Sequence, residues 1–128
     1  MEYTICIDFD GTCVKHKYPE IGNDIGAQPI LKELVDKNYK LILYTMRSEK
    51  ELDEAIKWFS DNEIELYGVQ LNPTQHTWTK SNKAYANLYI DDAALGIPLK
   101  TDFPLERPYV DWVAVQELLV KRGLLTKQ

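Results

Sequence analysis

Tyr3-Thr4-Ile5-Cys6-Ile7-Asp8-Phe9-Asp10-Gly11-Thr12 is the stretch from which the fold can be read. Its β-branched and aromatic residues favour an extended chain, and Asp10-Gly11 is a turn signal, so the segment reads as a strand that stops at a turn. Asp8 and Asp10 therefore sit together at the strand's C-terminal end.

Moving outward, Ile30, Leu31, Leu34 and Val35 follow Pro29 at helical spacing, and Asn38 offers a stop, which predicts a first helix over 28–38. Leu41-Ile42-Leu43-Tyr44 is apolar without alternation, the pattern of a central parallel strand covered on both sides, and it ends at Thr45. Ser48 and Glu51 stand at capping-box spacing before Leu52, Ala55, Ile56 and Phe59, which marks a second helix. Two more strands are expected at 65–69 and 87–91, and Trp112, Val115, Leu118 and Leu119 give a C-terminal helix its buried stripe. The stretches 72–83 and 96–108 read as long loops.

Strands alternating with helices predict an α/β fold, a Rossmann-like parallel sheet with helices on both faces and right-handed crossovers. Such sheets bind ligands beyond the carboxyl ends of their strands, the edge where Asp8, Asp10, Thr45 and Asp91 fall.

The chain has 128 residues, a length suited to one hydrophobic core, so a single domain over 1–128 is expected. A hydrophobic share of 45% beside 27% charged residues belongs to an ordinary globular protein. The net charge of −5 argues against an extended nucleic-acid partner, which needs clustered Lys and Arg. Lys15, Lys17, Arg47, Lys80 and Lys83 nevertheless fall in loops or at element ends, where they can attract an anion locally. Cys6 and Cys13 form neither a disulfide framework nor a zinc spacing, no apolar run approaches a membrane span, and Met1-Glu2-Tyr3-Thr4 lacks the regions of a signal peptide. A cytoplasmic protein without membrane contact is the expectation.

Two carboxylates two residues apart at a strand end repel each other unless a cation or a proton lies between them. Oxygen ligands of this kind suit magnesium, and Asp91-Asp92 at another strand end can complete the site. Asp-Gly by itself is most often only a tight turn. What lifts the motif above a turn is that further strand ends supply Thr45, Lys83 and the acidic pair Asp91-Asp92.

In that order the groups resemble the four motifs of the haloacid dehalogenase superfamily of phosphatases. Ile5 to Thr12 is similar to the Asp-x-Asp-Gly-Thr strand end, Leu41 to Thr45 to the second motif, and Tyr89-Ile90-Asp91-Asp92 to the terminal acidic pair. Lys83-Ala84-Tyr85-Ala86-Asn87-Leu88-Tyr89-Ile90-Asp91-Asp92 resembles the third and fourth motifs of small members, with Asn87 replacing the usual Asp. Lys80, three residues earlier, is the rival for the lysine.

The resemblance implies a magnesium-dependent phosphomonoesterase. Asp8 would attack phosphorus to give an aspartyl-phosphate. Asp10, its carboxyl raised by Asp8 and by desolvation, would protonate the leaving oxygen and then activate water, while Asp8 stays ionised. Thr45 and Lys83 would hold the phosphoryl oxygens, with Gly11, Thr12, Met46 and Arg47 completing the substrate contacts. Arg47 reads equally as a surface ion pair. Asp8, the Asp10 backbone carbonyl, Asp91 and Asp92, the last directly or through water, would hold Mg2+.

His16, His76 and Trp78 lie in loops near the expected site, plain loop packing being the alternative for His76 and Trp78. The intervals after the first and second motifs are too short for a cap domain. An uncapped site is open to large phosphorylated substrates or to a cap lent by another subunit, which would make the chain a homo-oligomer. The 72–83 loop is the candidate for local specificity. Two other classes stand beside the phosphatase: a receiver-like phosphoacceptor domain, which wants an Asp after the third strand where Tyr67-Gly68-Val69-Gln70-Leu71 has none, and a silent phosphate-binding module.

Overall fold

A computed structural model describes residues 2–127. Strand β1 (Thr4–Ile7) lies at the centre, paired in parallel with β2 (Lys40–Leu43) on one side and β4 (Leu88–Ile90) on the other. β3 (Gly68–Val69) adds to β2, giving one parallel sheet in the order β3-β2-β1-β4. Because all four strands point the same way, Asp8, Thr45, Gln70 and Asp91 leave the sheet from one edge. The connections carry helices α1 (Ala27–Asp36) and α2 (Glu49–Asp61), and α3 (Trp112–Lys121) closes the chain. This is the α/β, Rossmann-like architecture that the alternating pattern predicts.

The helices stand differently from expectation. Ile5, Ile7, Leu41, Leu43 and Ile90 join Leu31 and Leu34 of α1, Phe59 of α2, and Trp112 and Leu119 of α3 in one core. Cys6 and Ile42, the intervening strand positions, point the other way and meet Ala84, with Tyr44, Tyr67 and Ala86 against them. Alternation along a strand sends neighbours to opposite faces, so all three helices cover one face. The segment around 84–86 covers the other, where helices were expected too.

Element ends shift for local reasons. In the 65–69 stretch only Gly68 and Val69 form strand. Tyr67 N–H still reaches Leu41 O at 2.7 Å. A Cβ on Gly68 would stand 2.5 Å from Leu71 O, so only glycine fits this close backbone approach. The capping box at α2 is not made: Ser48 is the N-cap residue, but its side chain accepts no hydrogen bond. Trp58 rather than Leu52 or Ile56 is buried beside Ala55 and Phe59, and Leu118 is 43% exposed, outside the buried stripe of α3. The 96–108 loop contributes to a short antiparallel pair, β5 (Leu99–Lys100) with β6 (Tyr109–Val110). Among the described residues no helix is long and apolar enough to cross a membrane. Both cysteines are free and buried.

Candidate functional site

The turn after β1 is built around Phe9, whose carbonyl accepts from Thr12 N at 3.1 Å and Cys13 N at 2.8 Å. Gly11 has φ 80°, and a Cβ there would lie 2.0 Å from His16 Nε2 and 2.5 Å from Asp92 Oδ2. Glycine is thus required twice, by the left-handed backbone and by the side chains packed over it. Trp112 Nε1 donates to Thr12 O at 2.7 Å and Val110 N to Gly11 O at 2.9 Å, so the C-terminal elements anchor the turn.

This turn lays Asp8 beside the end of β4. Asp8, Asp91 and Asp92 each offer one carboxylate oxygen within 4.8 Å of the other two. Thr12 Oγ1 donates to Asp8 Oδ2 at 2.7 Å and accepts from Asp92 N at 3.0 Å, bridging the two strand ends. His16 Nε2 lies 2.8 Å from Asp92 Oδ2. Burial pushes the Asp8 carboxyl up to about 8; the Thr12 hydrogen bond opposes this, while Asp91 and Asp92 add to it. Three oxygen donors converging this closely are a set that could hold a hard divalent cation such as Mg2+.

Asp10 does not join that trio. Both of its oxygens accept from Arg47, Oδ2 from Nε and Oδ1 from Nη2, each at 2.8 Å. Arg47 is 1% exposed, and the rest of its guanidinium donates to Glu20 O at 2.7 Å, Pro19 O at 3.2 Å and Glu51 O at 3.3 Å. Its Cζ also lies 5.1 Å from the Phe9 ring centroid and 5.2 Å from that of Tyr18. Hydrogen bonding to Asp10 raises its already high pKa further. The planar fork therefore ties the first turn, the 18–20 flap and α2 together, a task suited to Arg and not to Lys. Arg47 is neither a free phosphate grip nor a surface pair. Asp8, expected to stay ionised, is an acid that burial pushes upward.

Thr45 and Met46 follow β2 as expected. Gln70, at the end of β3, clamps their loop: Thr45 N donates to Gln70 Oε1 at 2.8 Å, and Gln70 Nε2 donates to Thr45 O at 2.6 Å. Thr45 Oγ1 accepts from Arg47 N at 3.1 Å. Asp8, Asp10, Thr45, Met46, Arg47, Asp91 and Asp92 together line one cavity of about 450 Å³, with His16, Tyr18, Ala93 and Arg107. Met46 is 97% exposed at its mouth.

Several expected participants are elsewhere. Lys83 and Lys80 are exposed and line no part of this cavity; Lys83 Nζ lies 5.1 Å from the ring centroid of Tyr89, on the sheet face away from the helices. Register along the chain placed Lys83 near Asp91 without fixing which way the loop turns. Gly11 and Thr12 are buried, with the Thr12 hydroxyl engaged by Asp8 and Asp92, so they shape the site from beneath and do not line the cavity. No residue of the 72–83 loop lines the cavity, which removes His76 and Trp78 from it. Tyr18, Gln70 and Arg107 had no sequence signal: each is a lone polar or aromatic residue in a loop or at a strand end.

No family model and no curated protein matches the chain. A solved structure of a conserved protein from Bacteroides thetaiotaomicron does, at 33% identity over 100% of both chains and with a TM-score of 0.78. Identity at that level over the full length of both proteins goes beyond a shared fold, and the chain belongs to the family of this conserved Bacteroides protein.

Proposed function

We infer that this chain is a divalent-metal-dependent phosphomonoesterase whose nucleophile is Asp8. The observation that carries the reading is the trio Asp8, Asp91 and Asp92, converging within 4.8 Å beside Thr45 in an open cavity. In this reading an Asp8 carboxylate oxygen attacks a phosphorus seated in that cavity, forming an aspartyl-phosphate as the ester oxygen leaves. Water then hydrolyses the acyl phosphate and frees Asp8. Mg2+ held by Asp8, Asp91 and Asp92 would supply charge neutralisation at the phosphoryl oxygens.

Asp10 is the acid and base of the cycle, and Arg47 fixes where its carboxyl stands. To hand a proton to the leaving oxygen, Asp10 must loosen one of its two bonds to Arg47. Thr45 is the hydroxyl that meets the phosphoryl group, and Arg107, an exposed cation at the cavity wall, takes the role expected of the lysine. The open mouth, with Met46 and Tyr18 exposed, suits a phosphate ester with an apolar or aromatic leaving group. A receiver-like role fits less well, since the end of β3 presents Gln70, which is engaged in holding Thr45.

The test is Mg2+-dependent phosphate release from an aryl phosphate by the native chain, Asp8→Asn and Asp10→Asn. Asp8→Asn is expected to lose turnover by at least about 1,000-fold, and Asp10→Asn to lose less on this good leaving group. Unchanged turnover in Asp8→Asn sinks the assignment.

A further inference from the structure

A second hollow, of about 450 Å³, lies at the opposite end of the sheet, by the N-terminal ends of the strands. Tyr67, Trp78 and Tyr85 come to it from three separate stretches of chain, and Glu2 adds a carboxylate. Trp78 and Tyr85 meet edge to face, centroids 5.5 Å apart and planes at 83°. Trp78 is 63% exposed and Tyr85 37%.

What distinguishes this patch from incidental surface aromatics is the frame behind it. Asn72 and Gln75 are the buried amides of the 72–83 loop. Asn72 Nδ2 donates to Tyr85 O at 3.1 Å, and Asn72 Oδ1 accepts from Thr74 N at 3.1 Å. Gln75 Nε2 donates to Lys83 O at 2.7 Å, and its Oε1 accepts from Tyr85 N at 2.7 Å. Buried side-chain amides satisfied on both ends make a loop stiff. Here they stiffen a loop whose indole is left in solvent, which adds little to the core but presets an aromatic wall.

Aromatic faces carry negative quadrupole charge, and a carboxylate beside them selects for a cation. The neighbourhood already shows this chemistry: Lys40 Nζ lies 5.7 Å from the Tyr67 ring centroid and 3.9 Å from Glu2 Oε1. Lys40 lines the adjoining hollow with Val35 and Glu65 and is not among the residues that line this one. Glu2, at 60% side-chain exposure and this distance, is only loosely held by Lys40.

We propose that Tyr67, Trp78, Tyr85 and Glu2 form a binding site for a small organic cation bearing an alkylated ammonium group. The rings give the methyl groups apolar contact and the charge an attractive face, and Glu2 adds a longer-range attraction. The site is independent of the phosphatase reading, because no residue is shared with the Asp8 cavity.

The experiment is a titration of the isotope-labelled chain with choline chloride, followed by backbone and indole NMR shifts, against its uncharged carbon isostere and against sodium chloride. Saturable shifts confined to the neighbourhood of Glu2, Tyr67, Trp78 and Tyr85 are expected, with the isostere at least about 10-fold weaker. Trp78→Ala should abolish binding and Glu2→Gln weaken it by about 3- to 10-fold, while the buried indoles of Trp58 and Trp112 report an intact fold. Binding that survives Trp78→Ala, an isostere that binds equally well, or no saturable shift below about 100 mM choline overturns the proposal.

Discussion

The surroundings of Asp8 favour its protonated form, and this has a measurable consequence for stability. In the metal-free protein its carboxyl moves from an ordinary 3.8 to about 8 on folding, chiefly through burial. A group raised in the folded state contributes stability that is complete below the unfolded value and is lost as pH rises through the folded one. With chelator present, the melting temperature should therefore fall between about pH 4 and pH 8 from this contribution. Asp8→Asn, which cannot ionise, should flatten that part of the curve. Because a cation favours the ionised trio, added Mg2+ should raise the melting temperature more at the upper end of the range than at the lower. Thermal melts of both proteins with chelator and with Mg2+ check this, and an equal slope in Asp8→Asn would remove Asp8 as its source.

At the scale of elements, the helix entries separate what spacing signals from what geometry delivers. Ser48 and Glu51 have the spacing of a capping box, yet Ser48 makes no side-chain cap and Glu49 sits at φ 51°. Arg47 explains the departure: its backbone N–H goes to Thr45 Oγ1 and its guanidinium to Glu51 O, so the entry to α2 is shaped by the site. At α3, whose first residue Trp112 also holds the site turn, the side-chain cap is made: Asp111 Oδ1 accepts from Val113 N at 3.1 Å and Ala114 N at 3.2 Å. Asp111→Ala should accordingly cost about 1 kcal/mol of stability, while Ser48→Ala stays within about 0.3 kcal/mol of the native chain. Denaturant unfolding of the two variants measures the difference. The strands β1, β2 and β4 were legible because each is a short apolar run with an abrupt polar stop. The strand expected at 65–69 is cut to the two residues of β3, and the β5–β6 pair left no signal, since ladders that short are fixed by partners across the fold and not by their own residues.

Over the whole molecule, the sequence made the acidic edge readable and hid its wiring. Asp8, Thr45, Asp91 and Asp92 follow from where strands end, a local property. The pairing of Asp10 with Arg47 joins positions 37 apart, and the turning away of Lys83 depends on a loop that crosses to the other sheet face. Neither leaves a periodic trace. Arg47 is the clearest case, because one buried guanidinium satisfies Asp10 and three backbone carbonyls from the 18–20 flap and α2. Removing it leaves a carboxylate of 17% side-chain exposure and several carbonyls without a donor, so Arg47→Met should cost about 3–5 kcal/mol. Arg47→Lys keeps the charge but reaches at most part of that set, and is expected to fall between Met and the native residue. In the double variant Arg47→Met with Asp10→Asn, the unpaired charge is gone, so the combined loss should be smaller than the sum of the single losses by about 1–3 kcal/mol. A double-mutant cycle by chemical denaturation reads that coupling directly; additive losses would mean that Arg47 acts through the flap and α2 carbonyls alone, with its contact to Asp10 contributing nothing to the fold.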